Sequence, residues 1–494
     1  MPSNKQFRIP FPARFLAFWI SAIVIQSAGT SAFSLSAEDN PAPVNVLVIV
    51  VDDLGWTDLG CYGSGFYDTP ILDKFAQSSV RFTNAYSTCP VCSPTRVSIM
   101  TGRYPQRNGL TDFAGAAQPE DWKRNTPLLP APYRAELALE ETTLAEVFHD
   151  AGYATYFAGK WHLGGEAYYP QHQGFDVNIG GCEWGHPRGG KHFFSPYANP
   201  SMTDGPEGEY LPERLAEETV RFIRDHRDKP FLAVLSFYEV HTPLMTTAEL
   251  REKYEQKKQT MRFAWPILVD RDGRKVRQVQ EHAVYAGMVE AMDTATGRVL
   301  DTLDELGLAD NTLVIFTSDN GGLSTSEGHP TSNLPLRAGK GWMYEGGIRV
   351  PMMMRAPGRE FEPGSTIAIP VNSNDVFPTA LEYASLKPQL SKPLDGVSIL
   401  PAALGANVNT DRPLFWHYPH YGNQGGSPSA AVRRGNWKLI HFFEDDRREL
   451  YNLAEDIGEN KNVAVENPKI TTELTEILDE WSKEVGAKFP ARRQ

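Results

Sequence analysis

Cysteine is scarce in this chain: four residues in 494, at positions 61, 89, 92 and 182. That is too few for a disulfide scaffold to replace a hydrophobic core, so burial must hold the fold. Positive charge is short as well. Lys and Arg number 48 against 61 Asp and Glu, a net −13, which argues against a nonspecific binder of nucleic acid or another polyanion. An anionic ligand would need its cationic partners gathered in a pocket. No His or Cys cluster has the spacing of a zinc site. Internal repeats and low-complexity blocks are absent, and the one long apolar run, Phe15–Ile25, is short for a membrane span.

What is present is ordinary globular material. The length and a 41% hydrophobic content allow one large domain and a smaller one, and 41 Gly with 37 Pro imply long loops. Lys5, Arg8 and Arg14, the apolar run, and the small residues Thr30-Ser31-Ala32 read as a secretory signal with its cleavage site. Ser36 or Ala37 are alternative ends, and an uncleaved anchor is the rival reading. The expected division is a leader and linker at 1–37, an α/β domain at 38–404 and an α+β subdomain at 405–494. A secreted or periplasmic protein without a stable membrane anchor follows.

Taken in order, Val44–Val51 is a run dominated by β-branched residues, suited to a strand covered on both faces. It ends in Asp52-Asp53. Ligands of open α/β sheets gather at the carboxyl ends of strands, so two acids there indicate a metal site. Thr142–Ala151 reads as a short amphipathic helix and Tyr153–Ala158 as a strand leading into Gly159-Lys160-Trp161-His162. A helix around Glu213–His226 precedes a strand at Phe231–Phe237, which runs into Glu239-Val240-His241. A long helix over about Glu281–Leu306 leads into the strand Thr312–Phe316 and then Asp319-Asn320. This alternation predicts a mainly parallel or mixed sheet flanked by helices. Asp112–Glu140 reads as a loop near the site, Arg433–Phe443 as antiparallel strands, and Ile470, Leu474, Ile477, Leu478 and Trp481 as one face of a final helix.

The organising stretch is Cys92-Ser93-Pro94-Thr95-Arg96, with Thr101-Gly102-Arg103 shortly after. Pro94 suits the first turn of a helix over 94–102, whose positive end would favour an anion. The stretch resembles the activation motif of the type I, formylglycine-dependent sulfatases of the alkaline-phosphatase-like superfamily. In that family the cysteine is oxidised by a formylglycine-generating enzyme, and the hydrated aldehyde attacks sulfur and then expels sulfate by collapsing back. Thr95 stands where many members carry Ser or Ala. The resemblance extends over nearly the whole mature chain, to Glu449-Leu450-Tyr451-Asn452-Leu453.

By that resemblance Cys92, Arg96, Lys160, His162, His241 and Lys340 are the catalytic set. Arg96 and Lys160 would hold anionic oxygens, His162 the second diol hydroxyl, and His241 and Lys340 the bridging ester oxygen. Asp52, Asp53, Asp319 and Asn320, with the modified Cys92, would hold a metal. These hard oxygen donors fit Ca2+, with Mg2+ possible. The basic loop 186–192, with Arg188 and His192, and the aromatic and amide-rich stretch 418–426, with His420 and Asn423, are expected to shape a pocket for a terminal sulfated sugar or oligosaccharide. The expected activity is hydrolysis of a carbohydrate sulfate monoester. A phosphonate or phosphodiester hydrolase, and a glycan-binding protein with unconverted Cys92, are the alternatives.

Overall fold

The run expected as a strand at Val44–Val51 forms β1, Asn45–Val51, buried along its whole length. It lies inside an eight-stranded sheet with β2 (Val80–Phe82), β3 (Ala154–Gly159), β4 (Val177–Ile179), β5 (Phe231–Ser236), β6 (Thr312–Ser318), β7 (Met352–Arg355) and β8 (Thr366–Ile367). The order is β8-β2-β7-β6-β1-β5-β3-β4. The strands β6, β1, β5, β3 and β4 are parallel, while β7 is antiparallel to both neighbours. The computed structural model describes residues 43–263, 266–359, 362–406 and 408–493. The expected leader at 1–37 lies outside them.

Alternate residues of β1 serve two cores. Leu47, Ile49 and Val51 pack with α1 (Pro70–Gln77), α4 (Leu211–Asp225), α5 (Ala248–Thr260) and α6 (Ala283–Glu305). Val46, Val48 and Val50 pack with α2 (Cys92–Thr101), α3 (Leu144–Asp150) and α7 (Val376–Tyr383). A strand covered on both faces has no polar side to show, which is why its sequence reads as an unbroken apolar run. Thr143 and Glu146 close a capping box on α3, fixing its start two residues later than the expected Thr142. The polar helix α5 and the short strand β7 went unforeseen. Tyr254 is the one buried residue of α5, so the helix carries no apolar stripe.

The C-terminal part forms an antiparallel sheet, β9 (Leu414–Tyr418), β10 (Ser429–Arg434), β11 (Trp437–Phe442) and β12 (Arg447–Asn452), with α8 (Pro468–Glu484). One face of the sheet packs Phe415, Val432 and Leu439 against Leu474, Leu478 and Trp481 of α8. The other packs Trp416, Ala431 and Ile440 against Trp342, Tyr344 and Ile348. Residues 405–493 thus share a core with the segment that follows Lys340. A buried charge cluster reinforces this contact. Lys438 lies 3.0 Å from Glu345 and 2.9 Å from Glu459, all three without exposed side-chain surface. All four cysteines are free, and no helix among the described residues is long and apolar enough to cross a membrane.

Candidate active site

Because β1, β3, β5 and β6 are parallel, the residues after each emerge at one edge of the sheet. Asp52 and Asp53 follow β1, Lys160 and His162 follow β3, His241 follows β5, and Asp319 and Asn320 follow β6. Gly159, just before Lys160, has φ +97°, and a Cβ there would stand 1.8 Å from the Ser236 carbonyl oxygen. Only glycine lets β3 and β5 approach this closely. Asp53 and His162 themselves sit at positive φ, 63° and 58°, a conformation that costs energy and clusters at functional sites.

Residue 92 opens α2, with Val91 as N-cap, so the helix begins two residues before the expected start at 94. All ten of its residues are buried, and two of its polar side chains bond to neighbouring carbonyls: Ser93 Oγ donates to that of His162 at 2.9 Å and Thr95 Oγ1 to that of Cys89 at 3.2 Å. Cys92 Sγ lies 3.3 Å from His162 Nδ1. His162 Nε2 is 3.0 Å from the Ala114 carbonyl oxygen, an atom that only accepts, so Nε2 carries the proton and Nδ1 offers a lone pair to residue 92. Burial, then the charge of Lys160, holds His162 well below the usual histidine value and keeps the ring neutral.

Three buried carboxylates are matched by three cations. Lys160 Nζ is 2.6 Å from Asp52, Lys340 Nζ 2.6 Å from Asp53, and Arg96 Nη2 2.8 Å from Asp319. Burial pushes the Asp52 carboxyl up, with Lys160 only partly opposing it. Burial pushes Asp53 the same way, but Lys340, His241 and Lys160 outweigh it and hold Asp53 below the carboxylate range. His241 Nδ1–H donates to the Thr242 carbonyl at 2.6 Å, which leaves Nε2 unprotonated, 3.8 Å from Asp53.

Ligand atoms of Asp52, Asp53 and His241 lie within 4.8 Å of one another. Asp52 Oδ1 and Asn320 Oδ1 are buried without a hydrogen-bond donor, a costly state for two oxygens unless a cation meets them. The donor set therefore fits a hard divalent cation. Asp319, expected among the ligands, spends Oδ2 on Arg96 and Oδ1 on the Asp53 amide.

Above this floor opens a cavity of about 700 Å³, lined by Cys92, His162, His241 and Lys340 below and by loop residues outside. Two expectations need correcting. Arg96 and Lys160 do not line it: Arg96 donates to Asp319, the Lys160 carbonyl and Ser236 Oγ, and Lys160 is fully buried against Asp52. They hold the floor together rather than face a ligand. Arg188 and Asn423 line the wall, whereas His192 and His420 do not. His192 Nδ1 lies 2.9 Å from the Pro187 carbonyl oxygen.

His420 is 1% exposed and belongs to a layer behind the wall. Its Nε2 is 3.0 Å from Thr111 Oγ1 and its Nδ1 3.5 Å from Asp112. Asp112 also accepts from Tyr418 Oη at 2.9 Å and from the Phe113 amide at 2.8 Å. These bonds tie the C-terminal sheet to the loop that carries Ala114, the partner of His162. The residue types gave no hint of this, because the contact spans more than 300 positions. Sequence reasoning passed over Glu183 and Glu327 of the wall; Gln424 and His186, inside the two expected stretches, line it as well, and the His186 ring stacks on His241 at 5.8 Å and 5°. Burial, then Lys160 and Arg188, lowers His186.

Comparison with known proteins agrees with the motif. The sulfatase family model matches residues 44–386, and a model for the C-terminal part of N-sulphoglucosamine sulphohydrolase matches 338–484. A sulfatase of Formosa agariphila is 31% identical over 89% of this chain and 88% of its own. N-acetylgalactosamine-6-sulfatase of the dog is 29% identical over 96% of this chain and 85% of its own. The solved structure of Ps i-CgsB in complex with k-i-k-neocarrahexaose superposes with a TM-score of 0.72 at 28% identity, covering 89% of this chain and 93% of that one.

Proposed function

The chain belongs to the sulfatase family and is a sulfuric ester hydrolase, and from that premise we propose that it removes sulfate from the terminal sugar of a carbohydrate monoester, in the periplasm or outside the cell. The observation that carries this reading is the single cavity with Cys92, His162, His241 and Lys340 on its floor and hydrogen-bonding loops around its mouth. Two of the similar proteins support the carbohydrate, one named for an amino-sugar sulfate and one bound to a neocarrahexaose. Cys92 converted to formylglycine would supply the nucleophilic hydroxyl and a way to release sulfate. Ca2+ held by Asp52, Asp53 and Asn320 would supply positive charge against a sulfate oxygen.

The chain's own groups divide the remaining work. His162 Nδ1, kept unprotonated by the bond from Nε2–H to Ala114, accepts the proton of a hydroxyl at residue 92. Lys340 carries N–H donors into the cavity, while His241 Nε2 has none to give, so of the two it is Lys340 that donates to the departing ester oxygen. The floor's own charges cancel in pairs, so an added divalent cation leaves it net positive and ready for a sulfate monoester.

The test is the mass of the proteolytic peptide spanning Cys92, from protein made in its native host, together with sulfate release. The expected peptide has lost sulfur and carries an aldehyde, in a preparation that prefers an aryl sulfate to an aryl phosphodiester in kcat/KM. An active preparation whose peptide retains the thiol overturns the formylglycine assignment, and a preference for the phosphodiester overturns the substrate class.

A further inference from the structure

The wall of the cavity carries a charge pattern that sulfate hydrolysis does not itself require. We propose that the sugar bearing the scissile sulfate is otherwise uncharged, because Glu327 and Glu183 exclude a second anionic group from the outer half of the site. This rests on the sulfatase reading above and narrows its substrate.

The formally charged side chains of the wall, among the described residues, are Glu183, Arg188 and Glu327. Two carboxylates therefore face one guanidinium. Glu327 is exposed at the mouth and yet held: Thr242 Oγ1 donates to it at 3.0 Å and Gln424 Nε2 at 3.2 Å. Thr242 directly follows His241, so this carboxylate is pinned to the same turn that builds the floor. Glu183 accepts from Tyr169 Oη and from Arg188 Nη2, the latter at 3.4 Å. The Arg188 guanidinium also sits over the Trp184 ring, 5.5 Å from its centroid. Its charge is thereby offset before any ligand arrives.

A wall for a polyanion would present Arg or Lys in excess, since these bind sulfate and carboxylate through charge-assisted bonds. Here the excess has the opposite sign. Carboxylate oxygens accept hydrogen bonds from sugar hydroxyls, which favours a neutral ring. A second sulfate, or the carboxylate of a uronic acid, would meet like charge in a partly enclosed site where water screens it less. The cationic floor binds one anion and the anionic wall rejects the next.

A charge-isostere pair reads this directly. We would compare kcat/KM for 3-carbamoylphenyl sulfate and 3-carboxyphenyl sulfate in the wild type, E327Q, E183Q and the double variant, all from the native host. The expected wild-type preference for the neutral ester is at least about tenfold, falling several-fold in each single variant and approaching unity in the double. Because both esters are used with every variant, the difference in leaving-group chemistry is a constant factor and cancels when the preference of one variant is divided by that of another. A preference unchanged across the variants, or a wild type that favours the charged ester, overturns the proposal while leaving sulfatase activity standing. Failure to release sulfate from either ester overturns the parent reading instead.

Discussion

Asp52, Lys160 and Asp319, just beneath the cavity floor, each follow a parallel strand, and each has its opposite charge within 2.8 Å. On the wall, Arg188, Glu183 and Glu327 stand on loops, and the one ion pair among them spans 3.4 Å with both side chains part exposed. Floor and wall therefore answer different physics. Buried charges must be paired one to one or they cost several kcal/mol each (about 3–5 when a partner is removed). Exposed pairs are worth little, typically under about 1 kcal/mol, and their arrangement is free to follow the ligand.

The sharpest way to test the contrast is to remove the cation. Dialysis against a chelator should abolish sulfate release and lower the melting temperature, and Ca2+ at about a hundred times its Kd should restore about 2.7 kcal/mol of stability. Full activity after exhaustive chelation would mean that the unpaired oxygens of Asp52 and Asn320 have some other partner. Next in size is a split between kcat and KM. Tyr418→Phe or His420→Ala loosens the layer that positions Ala114 and should cut kcat about tenfold with KM within twofold. Arg188→Ala touches only the wall and should raise KM three- to tenfold, by a rough estimate, at constant kcat. A His420→Ala enzyme with raised KM and normal kcat would erase the boundary between wall and support.

The smallest effect concerns a buried cluster in which two carboxylates lean on one lysine. Glu345 and Glu459 share Lys438. Burial pushes Glu459 up to about 7, against the opposing pull of Lys438, while burial of Glu345 is outweighed by Lys438 and Arg349, which hold it low. A raised carboxyl contributes stability that is complete below its ordinary value of 4.5 and fades as pH rises through about 7. Between pH 5 and 8 the wild type should therefore lose roughly 1 °C more in melting temperature than Glu459→Gln, equivalent to about 1 kcal/mol in a folded unit of this size. Equal losses in both would show that Glu459 is already ionised at pH 5.

The floor was legible in the sequence because it hangs on strand ends. A β-branched run that stops at Asp52-Asp53, and another that stops at Asp319-Asn320, state both the element and its terminal chemistry. What the sequence leaves unsaid is which way a cation points. Arg96 and Lys160 are as basic as any ligand-binding pair, but parallel strands packed side by side enclose them, and only the assembled sheet shows it. The wall was half legible. Arg188 and His192 occupy one loop with the same chemistry on paper, yet a turn that bonds His192 to Pro187 carries it away from the cavity. The polar helix α5 was invisible for a simpler reason, since a helix with one buried residue leaves no apolar period to read.

The bond from His162 to Ala114 has a consequence for how such an enzyme can change. The acceptor is a main-chain oxygen, present whatever side chain occupies position 114, so no point substitution there can delete it. Selection can rewrite the loop that forms this side of the cavity, altering what the mouth admits, while the histidine keeps its proton on the same nitrogen. Diversification of specificity and retention of the chemistry are thus separated within a single loop: its letters can drift, provided its path does not.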